Sequence, residues 1–233
     1  MRTLAYGKHP EQVGDLHLPA GDGPHRAVVL WHGGSYAPEY GREMLAPLAA
    51  ELARRGLAAY NVTYRRLGTG GGVPETFDDA LAAVDALSRL GASLDLGEPP
   101  AGIGFSAGAP LALHAAAGRR LSRVVDVAGA ATLATLASAG GPESSVWRLF
   151  GGGPAELPEA YARFDPVGRL PLPVPSLVLH GEADELVPVR TSEEYARRAG
   201  ERCRLLTFAG AGHFDLHVPP TAATDAVFAF LGA

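Results

Sequence analysis

Short runs of apolar residues alternate with longer stretches in which apolar positions recur every three or four residues, along most of the chain. The unbroken runs AVVLW (27–31), LAAYNVTY (57–64) and SLVLH (176–180) read as strands buried on both faces. Shorter runs at 124–127 and 204–208, and one entering the turn at 101–110, read the same way. DLHLP (15–19) alternates apolar and polar residues and reads as a first hairpin strand. A helix is expected over 41–55, with Met44, Leu45, Leu48 and Leu52 at helical spacing. Another is expected over 74–90, where Pro74 suits the first turn and Phe77, Leu81, Val84 and Leu87 form one stripe. Further helices are expected over 107–118, 191–199 and 221–231. Strand–helix alternation of this kind predicts an α/β fold: a mostly parallel, doubly wound sheet of about seven to eight strands with helices on both faces.

Residues 134–172 break this rhythm with glycines, prolines and the large apolar residues Trp147, Leu149 and Phe150. The segment reads as a short cap-like insertion or as a long irregular excursion. No internal repeat and no linker-like shift in composition divides the chain, so one domain over 1–233 is expected, with an insertion at about 134–172.

Composition narrows the partners. Hydrophobic residues make up 47% and charged residues 19%, enough to bury a sizeable core. A net charge of -5 argues against a nucleic-acid partner, which would require a basic face. The one cysteine, Cys203, excludes an intrachain disulfide and a cysteine-built zinc site. The first residues lack an apolar core of signal-peptide length, and the apolar runs are too short to span a bilayer. A cytoplasmic protein with no membrane association is expected. No feature of the chain sets an oligomeric state.

Candidate chemistry begins at AGIGFSAGAP (101–110), which supports two readings. As G-x-S-x-G it presents Ser106 as a nucleophile between a strand and a helix. As Gly102-x-Gly104-x-x-Ala107 it is a dinucleotide-binding turn, with Asp126 placed as the ribose-binding acid. A serine hydroxyl needs a base, an acid that orients the base, and donors for the oxyanion that forms. Asp184 follows the strand SLVLH, and His213 follows the strand RLLTF. Ser106, Asp184 and His213 lie in that chain order, separated by 78 and 29 residues, which is the α/β-hydrolase order. The dinucleotide reading places its turn after at least two strand–helix units, where the first is usual, and leaves the Asp184 and His213 segments unexplained.

The segments HGGSY (32–36), GFSAG (104–108), HGEAD (180–184) and GAGHFD (210–215) resemble those of small α/β-hydrolases of the esterase/lipase and kynurenine-formamidase-like group. YRRLGTGGGVPETFDDA (64–80) is also similar to a segment of such hydrolases, and the likeness runs from about 13 to 231. The resemblance implies a serine hydrolase acting on a small carboxyl ester or amide, with no cofactor. An arylformamidase-type amide hydrolase is the alternative within the group. The resemblance also implies an oxyanion hole from the N–H groups of Ala107 and Gly34, with Ser35 as a further donor, and a bracing role for His32. Ala109-Pro110 departs from it, because many relatives carry another glycine there.

Several residues compete for these roles. Glu182 and Glu185 share the loop of Asp184, which is preferred by position, and His213, just after the strand and its glycine pair, is preferred to His217 further into the loop. His213, Asp215 and His217 are residue types that suit zinc. A hydrolytic metal site draws ligands from several segments, however, and no convincing further ligands are evident, so none is expected. GTGGG (68–72) lacks the lysine and hydroxyl residue of a phosphate loop. Tyr64, Trp147 and Phe150 could wall a substrate pocket or serve as packing. His9, His17, His25 and His114 read as ordinary surface or packed residues.

Overall fold

The computed structural model describes residues 1–89, 93–129 and 131–233. The apolar runs form strands of one eight-stranded sheet: β1 (Arg2–Ala5), β2 (Val13–His17), β3 (Ala27–Trp31), β4 (Ala58–Val62), β5 (Ala101–Phe105), β6 (Arg123–Val127), β7 (Ser176–Gly181) and β8 (Cys203–Phe208). Their order is β1-β2-β4-β3-β5-β6-β7-β8. β1 and β2 pair antiparallel, β2 pairs antiparallel with β4, and every later pairing is parallel. The central strands β3, β4, β5 and β7 are buried along their whole length, as their unbroken apolar runs require. β1 escapes a reading from pattern because RTLA is short and mostly exposed. The hairpin strand β2 lies two residues earlier than 15–19.

The helices are α1 (Ala46–Arg54), α2 (Glu75–Ala86), α3 (Ala109–Ala117), α4 (Leu133–Gly140), α5 (Ser145–Phe150), α6 (Pro158–Phe164), α7 (Arg190–Ala199) and α8 (Ala222–Leu231). Alternate residues along each strand face opposite cores. Val29 and Trp31 pack with α2, α3 and α7 on one face. Val28 and Leu30 pack with α1 and α8 on the other. The sheet is therefore covered on both sides.

Three predicted helices start or end differently. The helix expected over 41–55 begins as a 3-10 turn at Arg42–Leu45, and α1 starts only at Ala46, with a proline in its first turn. The helix over 74–90 ends at Ala86 and tightens into a 3-10 turn at Leu87–Arg89, while Leu90 lies outside the described residues. The helix over 107–118 is likewise preceded by a 3-10 turn, Ser106–Gly108. The segment 134–172 contains helix after helix: α4, α5 and α6, with their buried residues joined to the core beneath α3. Among the described residues no helix is long and apolar enough to cross a membrane.

Candidate active site

Ser106 sits where β5 meets α3. Its φ is 51°, a left-handed conformation that costs an L-residue energy and persists only when its surroundings enforce it. The enforcement is visible at two glycines. A Cβ on Gly104 would lie 2.4 Å from the Cα of Ala109, and one on Gly108 would lie 2.1 Å from the carbonyl oxygen of Trp31. Strand, turn and helix close this tightly only around glycine. Pro110 falls in the first turn of α3, where its missing N–H costs no helical hydrogen bond.

Asp184 follows β7 through a turn in which its N–H donates to the Gly181 carbonyl at 3.3 Å. Its side chain is 0% exposed. Oδ1 accepts from the N–H groups of Leu186 and Val187 at 2.9 and 2.8 Å. Oδ2 lies 2.7 Å from His213 Nδ1 and 3.2 Å from His180 Nε2.

His213 follows β8 in a turn closed by Asp215, whose Oδ2 accepts from the Gly212 N–H at 2.7 Å. Its ring packs against Phe105 at 5.3 Å and edge-on to Phe214 at 5.0 Å. Nε2 lies 2.9 Å from Ser106 Oγ. Asp184, His213 and Ser106 thus form one hydrogen-bonded chain, brought together from three loops at the carboxyl ends of β7, β8 and β5, where open α/β sheets hold their sites.

The loop after β3 completes the surroundings. Gly34–Ala37 is a tight turn closed by Ala37 N–H donating to the Gly34 carbonyl at 2.9 Å. Both of its central residues, Ser35 and Tyr36, have positive φ, 53° and 60°. A turn of this shape leaves the N–H groups of its central residues free of the turn's own bond. His32 braces the loop from within. It is fully buried, its ring stacks on Tyr64 at 4.6 Å, and its Nδ1–H donates to the Gly33 carbonyl at 2.6 Å. Burial pushes its pKa down to about 4, so the ring is neutral and no base.

A cavity of about 450 Å³ opens over Ser106 and His213. Ser35, Tyr36 and Ala107 line it from the sheet side, Leu136 and Val146 from α4 and α5, and Leu186, Val187 and Arg190 from the loop beyond Asp184 and the start of α7. Gly34 is not among its lining residues. A second cavity of about 460 Å³ adjoins it at Ser35 and Ser145 and is lined by Glu39, Glu143 and Arg148.

Residues 15–198 match the family model BD-FAE. The chain belongs to the BD-FAE family. The sheet and its helices also superpose on solved esterases. A truncated form of a carbohydrate esterase from gut microbiota matches with a TM-score of 0.86 and 19% identity, over 100% of this chain and 95% of that one. Esterase 2 of the Planctomycetes species Thermogutta terrifontis, with propionate bound, matches with 0.78 and 21%, over 99% and 93%. A bifunctional GH43-CE protein of Bacteroides eggerthii matches with 0.84 and 21%, over 98% of this chain but 37% of that one. No curated protein sequence matches the chain. This BD-FAE family member therefore has the α/β-hydrolase fold.

The competing residues take other places in this family member. Glu182 accepts from the Thr207 hydroxyl at 2.8 Å, and Glu185 is exposed. His217 stacks on Phe105 at 4.1 Å, and burial lowers its pKa. With Asp215 closing its turn and His213 on Asp184, HFDLH does not converge; among the described residues no group of three or more His, Cys, Asp or Glu side chains is placed to hold a metal. Tyr64 is buried on His32, Phe150 stacks on Tyr161 at 3.9 Å, and Trp147 packs over Gly153. None of the three lines the cavity. The dinucleotide reading meets a closed turn: a Cβ on Gly102 would lie 2.5 Å from Leu121, and Asp126 is wholly buried beside Gly104 in the sheet. One neighbour of Asp184 escaped the sequence reading. His180, at the end of β7, touches Asp184, and its only signal was its place in HGEAD.

Proposed function

We propose that this chain is a serine hydrolase that cleaves a small carboxyl ester through an acyl-enzyme intermediate. The observation that carries the reading is the hydrogen-bonded chain from Asp184 through His213 to Ser106, opening on the 450 Å³ cavity. With His213 Nδ1–H held by Asp184, Nε2 is free to take the Ser106 proton as Oγ attacks the carbonyl carbon. The tetrahedral oxyanion is received by the N–H groups of Ala107 and Ser35. Gly34, in the same turn as Ser35, offers a further N–H. His213 then returns the proton to the leaving alcohol. Water, deprotonated by the same nitrogen, releases the acid.

The structural neighbours, a carbohydrate esterase and an esterase with propionate bound, support an ester substrate with a short acyl group. The aliphatic lining from Leu136, Val146 and Val187 supports an alkanoyl group over an aryl formamide, with Tyr36 the one phenol described along the cavity and Tyr64, Trp147 and Phe150 packed elsewhere. The segment 134–172 serves as a short cap whose α4 and α5 roof the site. A panel of p-nitrophenyl esters of rising chain length, run beside N-formylkynurenine, tests the substrate class. Activity is expected to peak at short acyl chains and to fall by roughly 10⁴-fold or more in Ser106→Ala. A fluorophosphonate adduct is expected on Ser106 by mass spectrometry. An adduct elsewhere, or undiminished hydrolysis by Ser106→Ala, overturns the proposal.

A further inference from the structure

We propose that His180, locked by Ser192, is a positioning residue that holds Asp184 from behind and shares its negative charge with His213. The inference rests on the hydrolase reading above and concerns a histidine that reading does not use.

His180 is fully buried at the end of β7, and both ring nitrogens have partners. Nδ1 lies 2.7 Å from Ser192 Oγ on α7. Nε2 lies 2.8 Å from the Val187 carbonyl and 3.2 Å from Asp184 Oδ2. Burial lowers its pKa, so the ring carries a single N–H. A carbonyl oxygen only accepts, so that proton sits on Nε2, and Nδ1 accepts from the Ser192 hydroxyl. The direction of each bond follows: Ser192 O–H to Nδ1, then Nε2–H to Val187 O, with Asp184 Oδ2 at 3.2 Å beside the same nitrogen.

Asp184 thus accepts three hydrogen bonds and has the His180 ring nitrogen 3.2 Å from Oδ2. The Leu186 and Val187 N–H groups bind Oδ1; His213 and His180 approach Oδ2 from two sides. With Oδ1 alone tied down, the carboxylate could swing about that anchor. The His180 contact removes this freedom and so sets the plane in which His213 lies. It also draws charge from Oδ2, so that Asp184 stabilises a protonated His213 less than an undivided carboxylate would.

Other ionisable groups around the pair are accounted for. His217 lies behind His213 across Phe105, and burial lowers its pKa. Glu182 and Asp215 are turned to Thr207 and to the Gly212 N–H. Glu185 and Arg190 are exposed, and α7 presents the Ser192 hydroxyl.

The test is the pH profile of kcat and kcat/KM for a short-chain p-nitrophenyl ester, measured on His180→Leu, His180→Gln and Ser192→Ala. His180→Leu removes the donor and is expected to lower kcat roughly 10-fold with KM unchanged. Its acid limb of kcat/KM is expected to move to higher pH by about half a unit or more, because Asp184 then serves His213 alone. His180→Gln returns an N–H near the Nε2 position and should restore most of kcat and the limb. Ser192→Ala frees the other tautomer and should shift the limb in the same direction by less. Wild-type kcat in His180→Leu, or equal loss in the Leu and Gln variants with an unmoved limb, overturns the proposal. Should His180→Leu fail to fold, an unmoved limb in Ser192→Ala does so. Loss of the underlying reading is distinguished at once, because the unsubstituted enzyme would then show no Ser106-dependent hydrolysis.

Discussion

Ser106 combines the position of the proposed nucleophile with a strained backbone, and the two are separable by substitution. Its φ of 51° is tolerated by glycine and resisted by any residue with a Cβ, by about 1 kcal/mol. Ser106→Gly and Ser106→Ala are both expected to lose hydrolysis, yet the glycine variant should be the more stable by about that amount in urea unfolding. Equal stability would mean that the turn holds no strain. At this scale the sequence was legible in residue type: a serine between glycines, an aspartate and a histidine each just past a strand. It favoured Asp184 over Glu182 and Glu185, and His213 over His217, by position in the loop alone. The contacts that distinguish them span 29 and 107 residues of chain.

Between elements, one ion pair ties the β4–α2 connection together. Asp79 in α2 is buried and receives the Arg65 N–H at 2.8 Å, the Arg65 guanidinium at 2.7 Å and the Gln12 amide at 2.7 Å. This anchors the glycine-rich turn at 68–72, from which Val73 N–H reaches the Leu149 carbonyl of α5 at 3.1 Å. Asp79→Ala strips partners from a half-buried cation and a backbone N–H. A loss of about 3 kcal/mol in chemical unfolding is expected. Helix and strand identities were readable here because their periods are local, 3.6 and 2 residues. Helix starts were less so. Prolines 47 and 110 lie in first turns, and each helix is led by a 3-10 turn that apolar spacing does not reveal.

Across the whole molecule, burial of ionisable groups sets how stability follows pH. Asp126 is wholly buried on β6, and neither of its oxygens accepts a hydrogen bond among the described residues. Burial pushes its pKa up to about 7, partly offset by the nearby Gly129 backbone. Between about pH 4 and 7 the folded chain keeps this proton and the unfolded chain does not, so this group's contribution falls as pH rises. His32 and His114 act oppositely. Burial pushes each down to about 4, so the unfolded chain binds those protons first, and stability falls as pH drops below about 6.5. Asp126→Asn removes the opposing contribution. The variant is expected to gain most above pH 7 and to lose stability more steeply on acidification, by roughly 1.4 kcal/mol per pH unit between about 4 and 7. Urea midpoints measured across pH 4 to 8 check this, and an unchanged slope would refute it.

The sequence by itself determined the parallel, two-sided sheet, the glycine-lined turn at Ser106 and the Ser–Asp–His order, because apolar period and turn chemistry act over a few neighbouring residues. Only the tertiary structure decided which carboxylate meets which imidazole, that Tyr64, Trp147 and Phe150 pack away from the cavity, and that His180 stands behind Asp184. Such contacts join residues from different strands and loops. Their geometry is set by how the sheet twists and how the helices pack upon it, which no local pattern records.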